Sequence, residues 1–214
     1  YWPLNDTRTG SPMAIRDRAG NNDGVADNDV NAGQAGAITG DAGMTFGSAS
    51  PTEAWGRIYA KGTQYAPGTF TTQAWIKTNT TSGGRIFGFG DLQTGDSGHH
   101  DRHLYMSNDG KLLFGVRAQD GSNRTIGSGK SYNDDQWHMV TATMSPAGMA
   151  LYVDGVRVAR RTDTTQGETY LGYWRVQGDT LGGWANQPAS NNFVGSIDEV
   201  AVYPTALDQT TILA

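Results

Sequence analysis

The chain has 214 residues, a formal net charge of −5, no cysteine and no apolar run long enough to span a bilayer. A chain of this size buries a core without disulfide staples, and its acidic balance excludes the basic footprint that nucleic acids and anionic membranes require. Of its 21 acidic residues only Glu53, Glu168 and Glu199 are glutamates. Asp favours turns, caps and hard-cation sites where Glu favours helices, so with 30 Gly the composition predicts strands joined by many loops.

In chain order, residues 17–43 come first. They hold Asp17, Asp23, Asp27, Asp29 and Asp41 among Gly and Asn, with little to pack, and read as a long loop that needs an anchor. Residues 71–77 read as a strand, closed by Gly83-Gly84, and residues 86–89 as the next. Residues 104–107 and 112–116 flank Asn108-Asp109-Gly110 as a hairpin, and residues 137–144 form a further strand. Residues 149–153 and 156–158 flank Asp154-Gly155, which supplies the positive φ angles of a type I′ turn. Residues 196–203 form a long strand ended by Pro204. Only the tail reads as helical, with Thr205 as cap and Asp208 three residues on. No other segment holds a helical period. The prediction is an all-β, two-sheet antiparallel sandwich or jelly roll, one domain over residues 1–214, with a short C-terminal helical turn.

Four groups of residues are candidates for chemistry. Trp174 and Trp184 lie in or beside the connection 172–192, with Arg175, Gln177, Asp179, Asn186 and Gln187. Rings that stack on apolar sugar faces, beside amides that meet hydroxyls, suit a glycan platform; the same rings could instead pin the connection to the body. Trp75, Trp137 and Tyr152 sit within strands and read as core. His99-His100-Asp101-Arg102-His103 follows a Gly-rich turn, so helical metal-ligand spacing does not apply. It reads as a polar rim loop, with Asp91, His100 and Arg102 as candidate glycan contacts and a transition metal as the remaining alternative. His138 reads as a packed strand histidine. Glycoside hydrolysis usually needs two carboxylates across a cleft. The three Glu are scattered, and Asp198 and Glu199, being adjacent on a strand, point to opposite faces. Binding is therefore expected rather than catalysis. An EF-hand spacing started at Asp17 fails at Ala19, and one started at Asn21 fails at Val25.

Five stretches, taken in order, carry a resemblance: Asp17-Arg18-Ala19-Gly20-Asn21, the Phe70-to-Trp75 strand, Trp137-His138-Met139-Val140, Leu151-Tyr152-Val153-Asp154-Gly155, and Gly195 to Tyr203. Together they resemble the laminin-G-like, concanavalin A-like lectin–glucanase superfamily over essentially the whole chain. The resemblance implies a jelly roll whose first and last strands lie side by side. It also implies structural calcium on the convex face, held by carbonyls of the N-terminal loop and a carboxylate of the last strand. Asp198 matches that carboxylate by position, on a face shared with Val200 and Val202, and Asp17, Gly20 and Asp23 are the loop residues expected to complete the site. The alternative is that these aspartates cap turns or pair with Arg16 and Arg18. Glucanases of this fold resemble one another in a Glu-x-Asp-x-x-Glu strand, which this chain lacks. The 172–184 stretch is similar to modules of secreted actinobacterial proteins, and the chain opens as if cut from a longer one. The expected function is that of a secreted, monomeric, non-catalytic carbohydrate-binding module attached to other domains, with a polysaccharide or glycan as partner and no nucleic acid or membrane insertion. A protein-interaction, adhesion or spacer module is the alternative, and a glycosidase or lyase the third reading.

Overall fold

The computed structural model describes residues 1–8, 10–27, 30–47 and 56–213; Asp29 and Glu53 lie outside them. The first strands are β1 (Met13–Ile15), β2 (Gly24–Asp27), β3 (Val30–Ala35), β4 (Ala42–Phe46), β5 (Arg57–Ala60) and β6 (Gln64–Tyr65). Next come β7 (Phe70–Lys77), β8 (Gly84–Gly90), β9 (His100–Met106), β10 (Lys111–Arg117) and β11 (Asn123–Ser131). The last are β12 (His138–Ser145), β13 (Gly148–Val153), β14 (Val156–Arg161), β15 (Leu171–Val176), β16 (Gly195–Tyr203) and the helix α1 (Gln209–Leu213).

The strands form two antiparallel sheets. One has nine strands in the order β1-β2-β5-β15-β8-β9-β10-β11, with β6 also paired to β15; the other has seven, in the order β14-β13-β12-β7-β16-β4-β3. The core lies between them. Phe87, Phe89, Leu104, Phe114 and Trp174 of the first sheet join Met44, Phe70, Ile76, Val140 and Leu151 of the second in one buried cluster. The alternation that made these strands legible does the sorting. In β7, Phe70, Thr72, Ala74 and Ile76 are buried while Gln73, Trp75 and Lys77 are half-exposed. The Asp154-Gly155 turn has φ of 52° and 74°, the positive pair a type I′ hairpin demands. Trp2 bridges Val200, so the opening residues run beside the last strand.

Three expectations change. Residues 17–43 are not a structureless loop: β2 fills the gap between β1 and β5, and β3 forms the outer edge of the seven-stranded sheet. Their Gly- and Asn-rich sequences show little alternation, and pairing with ordered neighbours supplies what propensity does not. The cap of α1 is Asp208, whose Oδ1 accepts the Thr211 amide at 2.8 Å. Thr205 instead offers its carbonyl to the Thr71 hydroxyl, tying the tail to β7. Finally, β16 is bulged between Asp198 and Ala201, with Glu199 at φ 52°. The extra residue turns Asp198 to the outer face while Val200 stays in the core, so the two do not share a face.

Phe114 is fully buried and meets Phe70 edge-on at 6.1 Å. Phe114→Ala should therefore lower the unfolding free energy by about 3–5 kcal/mol, read as a reduced midpoint in urea denaturation with the slope unchanged.

Candidate functional site

Four of the eight residues singled out as glycan contacts, Asp91, His100, Arg175 and Trp184, meet on the outer face of the nine-stranded sheet, where they serve as internal scaffolding. Arg175 points outward from β15 but is completely buried. Its guanidinium donates to the carbonyls of Leu92 and Gly95, to Ser97 Oγ and to Asp179. Asp179 in turn accepts from the Ser97 amide and hydroxyl. The 91–98 loop is thereby folded down onto the sheet. Asp91 tightens the same loop by accepting the Gly98 and His99 amides. Arg102 is also fully buried, held by Asp101 at 2.5 Å and by the carbonyls of Pro67 and Glu168. Tyr170 donates to the same Asp101 carboxylate.

Beside this network, residues 177–192 form a strap. Trp184 is 4% exposed, its ring packed edge-to-face on His103 at 5.0 Å. Leu181 packs with it against Tyr105 and Leu113. Gly115 is required there: a Cβ would stand 2.4 Å from the Trp184 ring. Under the strap, Arg85 Nε donates to His103 Nδ1 and Arg85 Nη1 to the Gln177 carbonyl. Because a guanidinium only donates, His103 carries its proton on Nε2 and gives it to His100 Nδ1, 3.0 Å away. Trp184 Nε1 donates to that same nitrogen. Burial and then Arg85 hold His103 well below the usual imidazole range, and burial lowers His100 as well. Burial also pulls Arg85 down to about 10, opposed by Asp179.

Trp174 goes to the other side of the sheet. It is 4% exposed and stacks on Phe87 at 5.2 Å, with Phe70 and Phe89 against its edges. It forms one wall of a 400 Å³ cleft between the sheets, shared with Trp2, Gln64, Val200 and Tyr203. As sugar-stacking platforms, then, Trp174 and Trp184 are corrected: both bury their rings, the first in the core and the second beneath its own strap. Arg175 and Arg102 are corrected for the same reason. Of the predicted set, Asn186 and Gln187 are exposed, on the strap, and His100 is partly so. Of the rings read as core, Trp75 and Trp137 are only half-buried, and Tyr152 belongs to a separate cluster with Ala150 and Ile212 beneath α1.

The structure exposes a different aromatic surface. Residues paired directly across strands share a face. Leu171 pairs with Tyr65, and Arg175 with Tyr59, while Tyr173 lies between them on β15. Tyr59, Tyr173 and Tyr65 therefore stand in a row on the outer face, spanning about 13 Å at ~3.3 Å per residue. Tyr65 is 71% and Leu171 51% exposed, and Tyr59 and Tyr173 are half-buried. Tyr173 is opposite Gly90, where the Ser97 and Asp179 side chains occupy the space a Cβ would take. Sequence reading passed over these tyrosines because no local pattern marks them; only the sheet register lines them up.

The expected calcium ligands fall into two groups. Asp17 accepts the amides of Ala19, Gly20 and Asn22, and Asp23 accepts that of Asp17. Both oxygens of Asp17 are taken up within this turn, Asp23 lends it one oxygen, and Gly20 lies against Asp17. Asp198 instead faces the 36–43 segment, against Gly36 and Gly43, accepting the amides of Ala37 and Glu199. It is fully buried with no basic side chain bonded to it among the described residues. Burial raises its pKa to about 6, against the Ala37 bond and with Glu199 and Asp41 adding to the rise.

Residues 51–213 match the sequence profile of the concanavalin A-like lectin/glucanases superfamily, Laminin_G_3. No curated protein matches the chain in sequence. The heptameric SAP-like pentraxin of Limulus polyphemus is similar in structure, with TM-score 0.58 and 20% identity over 79% of this chain and 78% of the pentraxin. The binding domain of botulinum neurotoxin DC, solved with rat synaptotagmin II, gives TM-score 0.63 and 16% identity over 93% of this chain and 48% of its own. This chain thus spans about half of that domain. The CBM40 of the Ruminococcus gnavus IT-sialidase, bound to α2,3-sialyllactose, gives TM-score 0.52 and 21% identity over 69% of this chain and 82% of that module. At these identities the likeness establishes the fold.

The neutral histidines make stability depend on pH. Unfolded, His100 and His103 take up protons below the ordinary imidazole value of about 6.5; folded, they resist doing so. Their contribution is thus present above that pH and lost as pH falls below it. The raised carboxyl of Asp198 acts in the opposite sense over pH 7.5 to 5, so the histidine effect is read by difference: His103→Gln, which keeps an acceptor for Arg85, should lose less melting temperature than the native protein as pH falls through that range.

Proposed function

Because this chain belongs to the concanavalin A-like lectin/glucanase superfamily, we propose that it is a non-catalytic glycan-binding module of a longer secreted protein, and that the Tyr59–Tyr173–Tyr65 row is its contact surface. The observation that carries this reading is the row itself. Three tyrosines and Leu171 lie side by side on the sheet, and Gln93 of the 91–98 loop donates to the Ala60 carbonyl next to Tyr59. Such rings offer flat apolar faces to sugar C–H groups, and their phenols offer hydrogen bonds. An exposed apolar patch of this kind marks a binding surface. The carboxylates nearby argue for binding without hydrolysis. Asp91 is occupied by amides, Asp101 and Asp179 by buried arginines, and Glu168 by His99 and Arg117. Asp96 of the 91–98 loop is exposed without a bonded partner among the described residues, but it is a single group where glycoside hydrolysis uses an opposed pair.

The test is a glycan and polysaccharide array probed with the module in calcium. At least one glycan should bind, and Tyr65→Ala and Tyr173→Ala should each weaken it about tenfold, the usual scale of a binding hot spot. The melting temperature should hold in Tyr65→Ala, whose ring is exposed, and fall only slightly in Tyr173→Ala, whose ring is half-buried. Full binding by both variants would remove the tyrosine row from the site, and a blank array would turn the search to protein partners.

We also propose a structural calcium ion at Asp198, held with backbone carbonyls of the 36–41 turn. The buried carboxylate without a basic partner fits a hard cation, which prefers oxygen donors. Bound there, the ion would supply the missing countercharge and brace the turn against β16. An ion bound only by the folded state stabilises by mass action, so chelation should lower the melting temperature of the native protein. Asp198→Asn should abolish that dependence and should itself be neutral or stabilising in chelator, where it removes an uncompensated buried charge. A melting temperature indifferent to both calcium and chelator would exclude an exchangeable ion.

A further inference from the structure

The outer face of the seven-stranded sheet carries a groove that the tyrosine row does not account for. Its volume is about 390 Å³, within the size range of small-ligand sites. Its floor follows from the strand register. Thr45 pairs with Ser196, and Ser196 with Lys77, so one residue from each of β4, β16 and β7 lies on the same face in a row. The neighbours Met44, Ile197 and Ile76 point into the core, which fixes the row as outward-facing. The Thr45 and Ser196 hydroxyls are 3.1 Å apart. One wall is Gln34 and Ala35 of β3, and the other is the segment carrying Asp135 and Trp137. That segment is clamped by the Asp135 amide, which donates to the Thr78 carbonyl at 2.9 Å.

The groove is distinguished by side chains that are not in use. Several turn aspartates elsewhere are engaged locally: Asp91 by two amides, Asp154 by His138 and the Met139 amide, Asp208 by Thr211. Here the side chains of Lys77, Asn79, Asp135 and Trp137 make no hydrogen bond or ion pair among the described residues. A carboxylate, an ammonium, an amide and an indole, unspent and gathered around a floor of paired hydroxyls, form a set of donors and acceptors with one aromatic face.

We infer that this groove is a second binding site, for a neutral pyranose unit of an oligosaccharide. The half-buried Trp137 ring would take the apolar face of the sugar, Asp135 would accept from its hydroxyls, and Lys77 and Asn79 would donate to its oxygens. Among the described residues the lining holds one ammonium, Lys77, and one free carboxylate, Asp135, so it carries no net charge that would favour an acidic sugar, which would meet Asp135 as a like charge. This site shares no residue with the tyrosine row and lies on the opposite sheet, so one chain would engage a polysaccharide at two places, with the gain in avidity that linked sites provide.

The experiment uses the Tyr65→Ala/Tyr173→Ala double variant, in which the tyrosine row is disabled. Its binding to cello-, laminari-, xylo-, manno- and malto-oligosaccharides, and to oligogalacturonate as the acidic control, is followed by calorimetry. At least one neutral oligosaccharide should still bind, and more tightly than the acidic one. Adding Trp137→Ala or Asn79→Ala should weaken that binding about tenfold. Asp135→Asn, a mild exposed change that keeps the fold, should weaken it as well. Failure of the double variant to bind any neutral sugar would overturn the inference while leaving the tyrosine row intact, and so would unchanged affinity in Asn79→Ala and Asp135→Asn.

Discussion

Two arginines on the outer face of one sheet organise this molecule. Arg85 and Arg175 are both fully buried, and Asp179 is the carboxylate between them, 3.0 Å from Arg175 and 4.0 Å from Arg85. A guanidinium removed from water must have its donors met. Carbonyls of Leu92, Gly95 and Gln177, the His103 ring and Ser97 meet most of them, leaving Arg85 Nη2 and Arg175 Nε without a hydrogen bond. Apart from His103 of β9, those partners come from the 91–98 loop and the 177–192 strap, so meeting the arginines folds both segments onto the sheet. The neutrality of His103 follows from the same constraint, because a proton on Nδ1 would face the Arg85 Nε–H.

The consequence is a second interior. With the strap in place, Trp184, Leu181, Tyr105 and Leu113 form an apolar cluster on the side of the sheet away from the main core. A sheet face that would otherwise be open to ligands is thus divided. The part over β8, β9 and β10 is closed by the strap, and the part over β15, β5 and β6 keeps its tyrosines in solvent. On this side the tyrosines that stay accessible lie over the second part, on strands.

The seven-stranded sheet is divided by the same kind of logic with different materials. The 204–213 tail covers Thr71, Ala150 and Tyr152 through the Thr71 hydroxyl and Ile212. The 36–43 segment covers Asp198. Between these covers lie Lys77, Ser196, Thr45 and Trp137, polar and unengaged by one another except for the hydroxyl pair. Among the described residues, each face of the sandwich therefore keeps an uncovered patch, aromatic on one sheet and polar with the Trp137 indole on the other.

Strand alternation, the Asp-Gly turn and the spread of turn residues were legible in the sequence, because they depend on contacts between residues close in the chain. They determined an all-β sandwich, its principal hairpins and a helical tail. The concentration of Trp, Arg and amide side chains near residues 172–192 was legible too, but not its use. The same rings suit a sugar or an interior, and the choice rests on Gly115, 69 residues before Trp184, leaving room for the ring. The bulge at Glu199 likewise reversed the face of Asp198, since one extra residue in a period of two moves a side chain from one side of the sheet to the other. The strands of residues 17–43 appeared only on pairing with partners remote in sequence. What the chain determined by itself was its local geometry. Which faces were covered, and hence which side chains remained free to bind, was decided by strand register and by the burial of two arginines, and both exist only once the sheets have formed.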